Sequence, residues 1–230
     1  MKHSIKSLIG FTIGATDGDI GLVKDFYFED NSWIVRYLVI ETGSWQKGRK
    51  VLISPDAILT PDWKNKTFPI NLSKEQIKNS PDIDTELPVY RQQEIKLYNH
   101  YELGNYWRVG SVAGSMPPLN NLLMKEDDAI SDKMPDDDLH LRSTNKVIGY
   151  IVAALDGTIG DVEDFIIDDD TWKLDIIIVN TGIGILGKKV LVFVKCITEI
   201  KWNISTVIID LNTESIENTA EYVESELWKI

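Results

Sequence analysis

The chain has 230 residues, of which 43% are hydrophobic, so its length allows two small domains or one large one. Its net charge of −12 disfavours general binding to nucleic acid and to anionic lipid, because an acidic surface repels phosphate. No apolar run is long enough to predict a membrane span, and the first residues lack a secretory pattern, so we expect a cytoplasmic protein.

The negative charge is unevenly distributed along the chain. Residues 1–80 carry about 11 basic and 9 acidic groups, residues 81–140 about 5 and 12, and residues 141–230 about 8 and 15. The first third is therefore close to neutral, and the repulsion of phosphate groups is weakest there.

The first elements in chain order are predicted to be short strands. "LIGFTIGA" is followed by Asp17-Gly18, a pair typical of a type I′ hairpin turn. In the next strand, "IGLVKDFYF", we expect Leu22 on the same face as Phe26, with Lys24 interrupting the row. The β-branched and aromatic run "WIVRYLVIE" predicts a further strand after a polar turn at "EDN", residues 29–31.

The polar loop "GSWQKGRK" comes next and places a tryptophan among basic side chains. We predict it as a partner contact, formed by Trp45, Lys47, Arg49 and Lys50. An equally weighted alternative is that Trp45 covers an open barrel end or the other half of the molecule. The strands "KVLIS" and "TFPINL" follow, and "LSKEQIK" predicts a short helix with a capping box between Ser73 and Gln76.

A linker of about 60 residues, 83–139, separates this region from the rest of the chain. "PVYRQQEIKLYNHYE" predicts an amphipathic helix over about 89–102, laid on a barrel. The stretch from about 109 to 138 is rich in Gly, Ser, Pro and acidic residues, and we expect it to be a flexible acidic loop.

The chain then repeats itself at an offset of 139 residues. Ile9 aligns with Ile148, and the match continues without a gap to Ser80 and Thr219, with about 26 identities in about 72 pairs. Such a match indicates a tandem duplication of a domain and not a solenoid. The shared motif residues are Asp17, Gly18, Gly21, Asp25 and Phe26 in the first copy and Asp156, Gly157, Gly160, Asp164 and Phe165 in the second.

These residues spell D-G-x-I-G-x-V-x-D-F twice, and both copies resemble the PRC-barrel domain. That domain is known from the cytoplasmic part of the photosynthetic reaction-centre H subunit and is similar to the C-terminal barrel of a ribosome-maturation factor. The linker also resembles that of tandem-PRC bacterial proteins. The resemblance implies an all-β chain of two small β-barrels, each followed by a short helix. We therefore expect barrels at 5–82 and 140–222 and a tail at 223–230.

The family is known for protein contacts, so the resemblance implies a non-enzymatic adaptor with protein partners. The barrels are expected to form an intramolecular pseudo-dimer or a homo-oligomer, without direct nucleic-acid binding. An assembly factor associated with the ribosome or with a membrane complex of photosynthesis or electron transfer is the alternative, carried by fold analogy alone.

The remaining motifs favour ordinary structure over chemistry. An EF-hand reading of Asp17, Asp19 and Gly21 fails at later loop positions, and "DDD" at 168–170 predicts a solvated turn. The three histidines lack metal-ligand spacing, and the Gly-rich loop at 181–189 is followed by a strand instead of a phosphate-binding helix. Cys196 is expected to be a small core or strand residue. We predict no catalytic residue, metal site or cofactor.

Overall fold

A computed structural model describes residues 1–43, 48–81, 96–97, 99–101, 141–182, 187–217, 219 and 221–223. The first repeat comprises six strands and two short helices. They are β1 (Lys2–Ser4), α1 (Ile5–Leu8), β2 (Thr12–Ala15), β3 (Gly18–Glu29), β4 (Val35–Thr42), β5 (Lys50–Ile53), β6 (Thr67–Pro69) and α2 (Lys74–Lys78), with a 3₁₀ turn at Pro55–Ala57.

The second repeat follows the same order and adds one strand. Its elements are β7 (Leu141–Ser143), α3 (Thr144–Val147), β8 (Ile151–Ala153), β9 (Thr158–Asp168), β10 (Lys173–Asn180), β11 (Lys189–Phe193), β12 (Ile197–Lys201), β13 (Thr206–Ile209) and α4 (Thr213–Glu217), with 3₁₀ turns at Val194–Cys196 and Trp202–Ile204. The added strand, β12, corresponds to residues 58–62, which form only isolated bridges in the first repeat.

The all-β prediction is confirmed, and each repeat builds one sheet. The strand order is β5-β4-β3-β2-β6 in the first sheet and β11-β10-β9-β8-β13-β12 in the second. The pairs β2–β6 and β8–β13 are parallel, and the other neighbours are antiparallel. Both orders are open among the described residues, so these sheets are not the closed barrels that we expected.

Bulges explain where the predicted alternation of β3 fails. The β3–β4 register moves from Val23 opposite Ile40 to Asp25 opposite Val39, which leaves Lys24 as the extra residue. Leu22 is 42% exposed, whereas Val23 and Phe26 are buried, so the prediction that Leu22 shares the face of Phe26 is wrong.

The first hairpin turn also differs from its prediction. Ala15 pairs with Gly18, so the two turn residues are Thr16 and Asp17 and not Asp17-Gly18. Gly18 has φ +121°, but Asp17 is not among the described residues with positive φ, so the turn is not type I′. The Asp17 carboxylate instead accepts a hydrogen bond from Lys74 N, at 2.8 Å, so this side chain contacts the start of α2 and not its own turn.

Buried side chains from both repeats form one continuous core, joined by part of the linker. Within the predicted linker helix, the described residues 96–97 and 99–101 are helical, and Leu97 and Tyr101 are buried in this core. Burial raises the pKa of Tyr101 to about 12. The rest of the predicted helix, the acidic loop and nearly all of the tail lie outside the described residues.

Candidate functional site

The leading strand of each repeat belongs to the sheet of the other repeat. β1 pairs with the end of β9, with Lys2 opposite Asp168 and Ser4 opposite Ile166. β7 pairs in the same way with the end of β3, with Leu141 opposite Glu29 and Ser143 opposite Tyr27. The two repeats thus exchange equivalent strands, and we call this shared boundary the seam.

The second aspartate of the repeated motif fastens the first side of the seam. The Asp25 carboxylate accepts hydrogen bonds from Ser143 Oγ at 2.6 Å, Thr144 Oγ1 at 2.9 Å and Asn145 N at 3.1 Å. It also accepts one from Phe26 N, at 2.8 Å, within its own strand. Asp25 therefore holds the start of α3 from the opposite repeat, and Ser143 caps that helix by accepting from Lys146 N.

Asp164 does the same on the other side of the seam. Its carboxylate accepts hydrogen bonds from Ser4 Oγ and, at 3.2 Å, from Lys6 N. Burial raises the pKa of Asp25 and of Asp164, and the hydrogen bonds oppose that rise. The offset of 139 aligns Ser4 with Ser143, which is the sequence signal for these two reciprocal anchors.

The remaining motif residues have local roles. Asp17 and Asp156 each accept a hydrogen bond from the first backbone N–H of the helix at the end of their repeat, at 2.8 Å.

The motif glycines lie where two strands approach closely. A Cβ at Gly21 would lie 2.0 Å from Glu41 O, and one at Gly160 would lie 1.8 Å from Asn180 O. Gly18 is the positive-φ start of β3, and Gly157 lies beside Thr213. Phe26 and Phe165 are fully buried in the core.

Two tryptophans close the centre of the seam. Val35 N donates to Trp172 O and Leu174 N donates to Trp33 O, both at 2.8 Å, so the two turns pair reciprocally. Trp33 and Trp172 have φ of +61° and +55°, a conformation that is uncommon for bulky residues and that this pairing maintains in both copies.

A side chain of each leading strand lies against an indole ring on both sides of the seam. The His3 ring stacks on Trp63 with centroids 4.0 Å apart, and Arg142 lies 4.2 Å above the Trp202 ring. Each of these side chains also contacts an aspartate of the opposite repeat, Asp169 at 3.1 Å from His3 and Asp30 at 3.0 Å from Arg142.

The predicted contact loop is only partly described. Trp45 and Lys47 lie outside the described residues. The Arg49 guanidinium donates to the carbonyl oxygens of Lys78 at 2.8 Å and Ser80 at 2.7 Å, so it caps the end of α2. Lys50 begins β5 and lines a cleft on the seam.

Two clefts flank the seam at equivalent places. The first measures about 220 Å³ and the second about 240 Å³. The first cleft is lined by Lys24, Asp25, Tyr27, Val39, Lys50, Ser143, Asn145 and Lys146. The second cleft is lined by Ser4, Lys6, Ser7, Glu163, Asp164, Ile178, Lys189 and Tyr222. Each lining combines residues of both repeats, so neither cleft can be recognised from the sequence of one repeat.

The other groups that invite chemistry are mostly engaged in structure. Among the described residues, the one grouping of three acidic side chains suited to a cation is Asp168, Asp169 and Asp170. Asp168 accepts from the backbone of the next turn, and Asp169 contacts His3. Cys196 ends a 3₁₀ turn and is half-buried, and burial raises the pKa of its thiol, which disfavours the thiolate.

Comparison with known proteins identifies the first repeat. Residues 2–77 match the family model of the PRC-barrel domain. No curated protein matches the chain. In the described part of the chain, no helix is both long enough and apolar enough to cross a membrane.

Proposed function

The first repeat is a PRC-barrel domain, and from this premise we propose that the chain is a non-enzymatic adaptor that binds other proteins. PRC barrels form a non-catalytic domain family, and the second repeat carries the same motif in the same order of strands. The two repeats form one folded unit because each sheet contains a strand from the other repeat.

The hydrogen bonds that the two motif carboxylates accept from the opposite repeat are the observation that supports this proposal. Asp25 and Asp164 are the most buried acidic groups of the repeated motif, and a general acid or base would be sought there first. Both are held by hydrogen bonds from the opposite repeat and by their own strands. Their chemistry is thus used to join the repeats, which favours a binding scaffold over a catalyst.

Divergence between the copies supports a contact role for their surfaces. Phe193 is 47% exposed at the position where the first repeat has the buried Ser54. Ile204 is 58% exposed at the position of Asn65. Apolar side chains that are exposed in only one copy are the kind of feature that binding selects, whereas the shared core maintains the fold.

We place this adaptor in the cytoplasm. The sequence holds a single cysteine, Cys196, which leaves no second thiol for an intrachain disulfide, as is usual in a reducing compartment.

In-cell cross-linking followed by affinity purification tests the proposal. Wild-type protein is expected to recover a defined partner, and Phe193→Ser or Trp45→Ala is expected to reduce that recovery. Phe193→Ser installs the residue that the first repeat has at the equivalent position, Ser54. Recovery of the chain alone under all conditions, or substrate turnover by the pure protein, contradicts the adaptor function.

A further inference from the structure

The second sheet ends in a strand that has no counterpart in the first sheet. Among the described residues, β12 pairs with β13 on one side and is the last strand of its sheet. The equivalent residues of the first repeat, 58–62, form only isolated bridges. The other side of β12 is therefore a sheet edge whose backbone groups can pair with a further strand.

Ile200 is the residue of β12 whose backbone groups point to this open edge. In the first repeat, Asp62 and Thr67 exchange both backbone hydrogen bonds, at 2.8 and 3.0 Å. The offset of 139 aligns them with Lys201 and Thr206, which pair in the same register. Since successive residues of a strand point their backbone groups to alternate sides, Lys201 faces β13 and Ile200 faces the open edge.

The first repeat has a proline at the position of Ile200. Pro61 aligns with Ile200 at the offset of 139, and a proline has no N–H to donate to an added strand. Proline at a sheet edge is one of the features by which proteins prevent pairing with another chain. The first repeat is thus protected against strand addition at this position, whereas the second repeat is not.

The charged side chains of β12 are complementary to those of a second copy. Glu199 and Lys201 flank Ile200 with their charged groups 4.0 Å apart, and their side chains are 58% and 42% exposed. In an antiparallel pair with a two-fold axis at Ile200, Glu199 of each copy lies opposite Lys201 of the other. An axis at Glu199 or at Lys201 would place like charges opposite each other, which destabilises a strand pair. Charge therefore favours the register centred on Ile200.

Open clefts along β12 leave room for an added strand. One cleft measures about 200 Å³ and the other about 830 Å³, and Glu199, Ile200 and Trp202 line both of them. Ile200 and Trp202 are partly buried against the core. An added β12 strand would therefore place its own Ile200 beside apolar side chains, which stabilises cross-strand pairs.

We propose that two copies of this chain pair through β12, in antiparallel orientation about a two-fold axis at Ile200. The second sheets of the two copies then form one continuous sheet, and Glu199 of each copy pairs with Lys201 of the other. This inference goes beyond the adaptor function because it concerns contact between copies of the chain. Failure to capture any other protein would remove the adaptor function and leave this dimer unaffected.

The molar mass of the full-length chain tests the dimer. Sedimentation velocity over a range of concentrations is expected to show an equilibrium between the chain mass of 26.1 kDa and twice that mass. Ile200→Pro is expected to keep the mass of one chain, because it removes the N–H that faces the open edge. Proline is tolerated at sheet edges, and Pro61 is its native precedent in the first repeat.

Charge exchange tests the register. Lys201→Glu and Glu199→Lys each place like charges opposite each other twice, and each is expected to weaken the dimer about tenfold. The variant with both substitutions restores opposite charges and is expected to recover the wild-type affinity, as is a mixture of the two single variants. Lys64→Glu is the matched control, because it makes the same change of net charge as Lys201→Glu at an exposed turn of the first repeat.

Three results overturn the inference. A wild-type chain that keeps the mass of one chain at every concentration shows that β12 does not join two copies. A dimer that Ile200→Pro and both charge variants leave intact is formed by another surface. A dimer that the single charge variants weaken, and that neither the doubly substituted chain nor the mixture restores, does not have Glu199 opposite Lys201.

Discussion

At the scale of single residues, the two motif aspartates have an energetic cost as well as a structural role. The Asp164 carboxyl is buried at the seam and the Asp25 carboxyl is half-buried there, and burial raises the pKa of each despite the hydrogen bonds that it accepts. A raised pKa means that the folded state favours the protonated form more than the unfolded chain does. These aspartates therefore contribute most to stability when they are neutral.

The sign of this effect predicts a pH dependence. The unfolded aspartates ionise near pH 3.9, while the folded ones keep their protons to a higher pH, so their contribution is complete below about pH 4 and is lost as the pH rises through the folded pKa. We expect Asp25→Asn with Asp164→Asn to gain stability relative to the wild type between about pH 4 and pH 7. Urea unfolding at several pH values measures this difference.

The control for this prediction is an exposed aspartate on the same strand. Asp19→Asn leaves the seam intact and is expected to follow the pH profile of the wild type. Parallel profiles for the wild type and the double variant would show that the seam carboxyls keep ordinary pKa values in the folded state.

At the scale of elements, the close approach of strands at the motif glycines is the most restrictive feature. An alanine Cβ at Gly21 or Gly160 would meet the carbonyl oxygen of the neighbouring strand at 2.0 or 1.8 Å, and the strands would have to separate. We expect Gly21→Ala and Gly160→Ala each to lower the free energy of unfolding by about 1–3 kcal/mol or more.

Gly14→Ala is the matched control within β2. Its Cβ would lie 3.5 Å from Thr67 Cγ2, an ordinary contact, so we expect a change within about 1 kcal/mol. Chemical denaturation compares the three variants, and a tolerated alanine at Gly21 would mean that the β3–β4 pairing is looser than the structure indicates.

Features that depend only on neighbouring residues could be predicted from the sequence. Features that depend on distant residues were predicted poorly. The capping box of α2 is confirmed, because Ser73 and Gln76 lie three residues apart and need no distant partner. The inward Leu22 and the Asp17-Gly18 turn are wrong, because bulges and the distant bond to Lys74 N change the local geometry. A register shift of one residue reverses which face a side chain occupies, and composition does not reveal it.

The duplication could be predicted from the sequence, but the seam could not. An offset of 139 shows that two copies exist, but it does not show whether a short strand such as β1 pairs within its own repeat or with the other. The choice depends on the path of the chain through α1 and on Ser4 reaching Asp164. The clefts were missed for the same reason.

At the scale of the whole molecule, strand exchange makes each repeat incomplete without its neighbour. The edge of β3 at residues 27–29 is covered by β7, and in a shortened chain it would be unpaired. We expect residues 1–101 alone to form a symmetric homodimer in which Lys2–Ser4 of each chain covers β3 of the other. Size-exclusion chromatography coupled to light scattering measures the molar mass of this shortened chain in solution.

Asp25→Ala in the shortened chain is expected to weaken this dimer, because Ser4 of the other chain would lose its acceptor. The exposed Asp19→Ala should leave the dimer unchanged. A shortened chain that stays a folded monomer at all concentrations would show that β3 does not need a partner strand.

Strand exchange also sets an order of events on the ribosome. Residues 27–29 are synthesised more than 100 residues before their partners at 141–143, which at about 5–20 residues per second is a delay of roughly ten seconds. During that time the β3 edge of a nascent chain can be covered by the Lys2–Ser4 segment of a neighbouring chain on the same message. We therefore expect slower translation across the linker to increase the share of chains that become entangled with another copy.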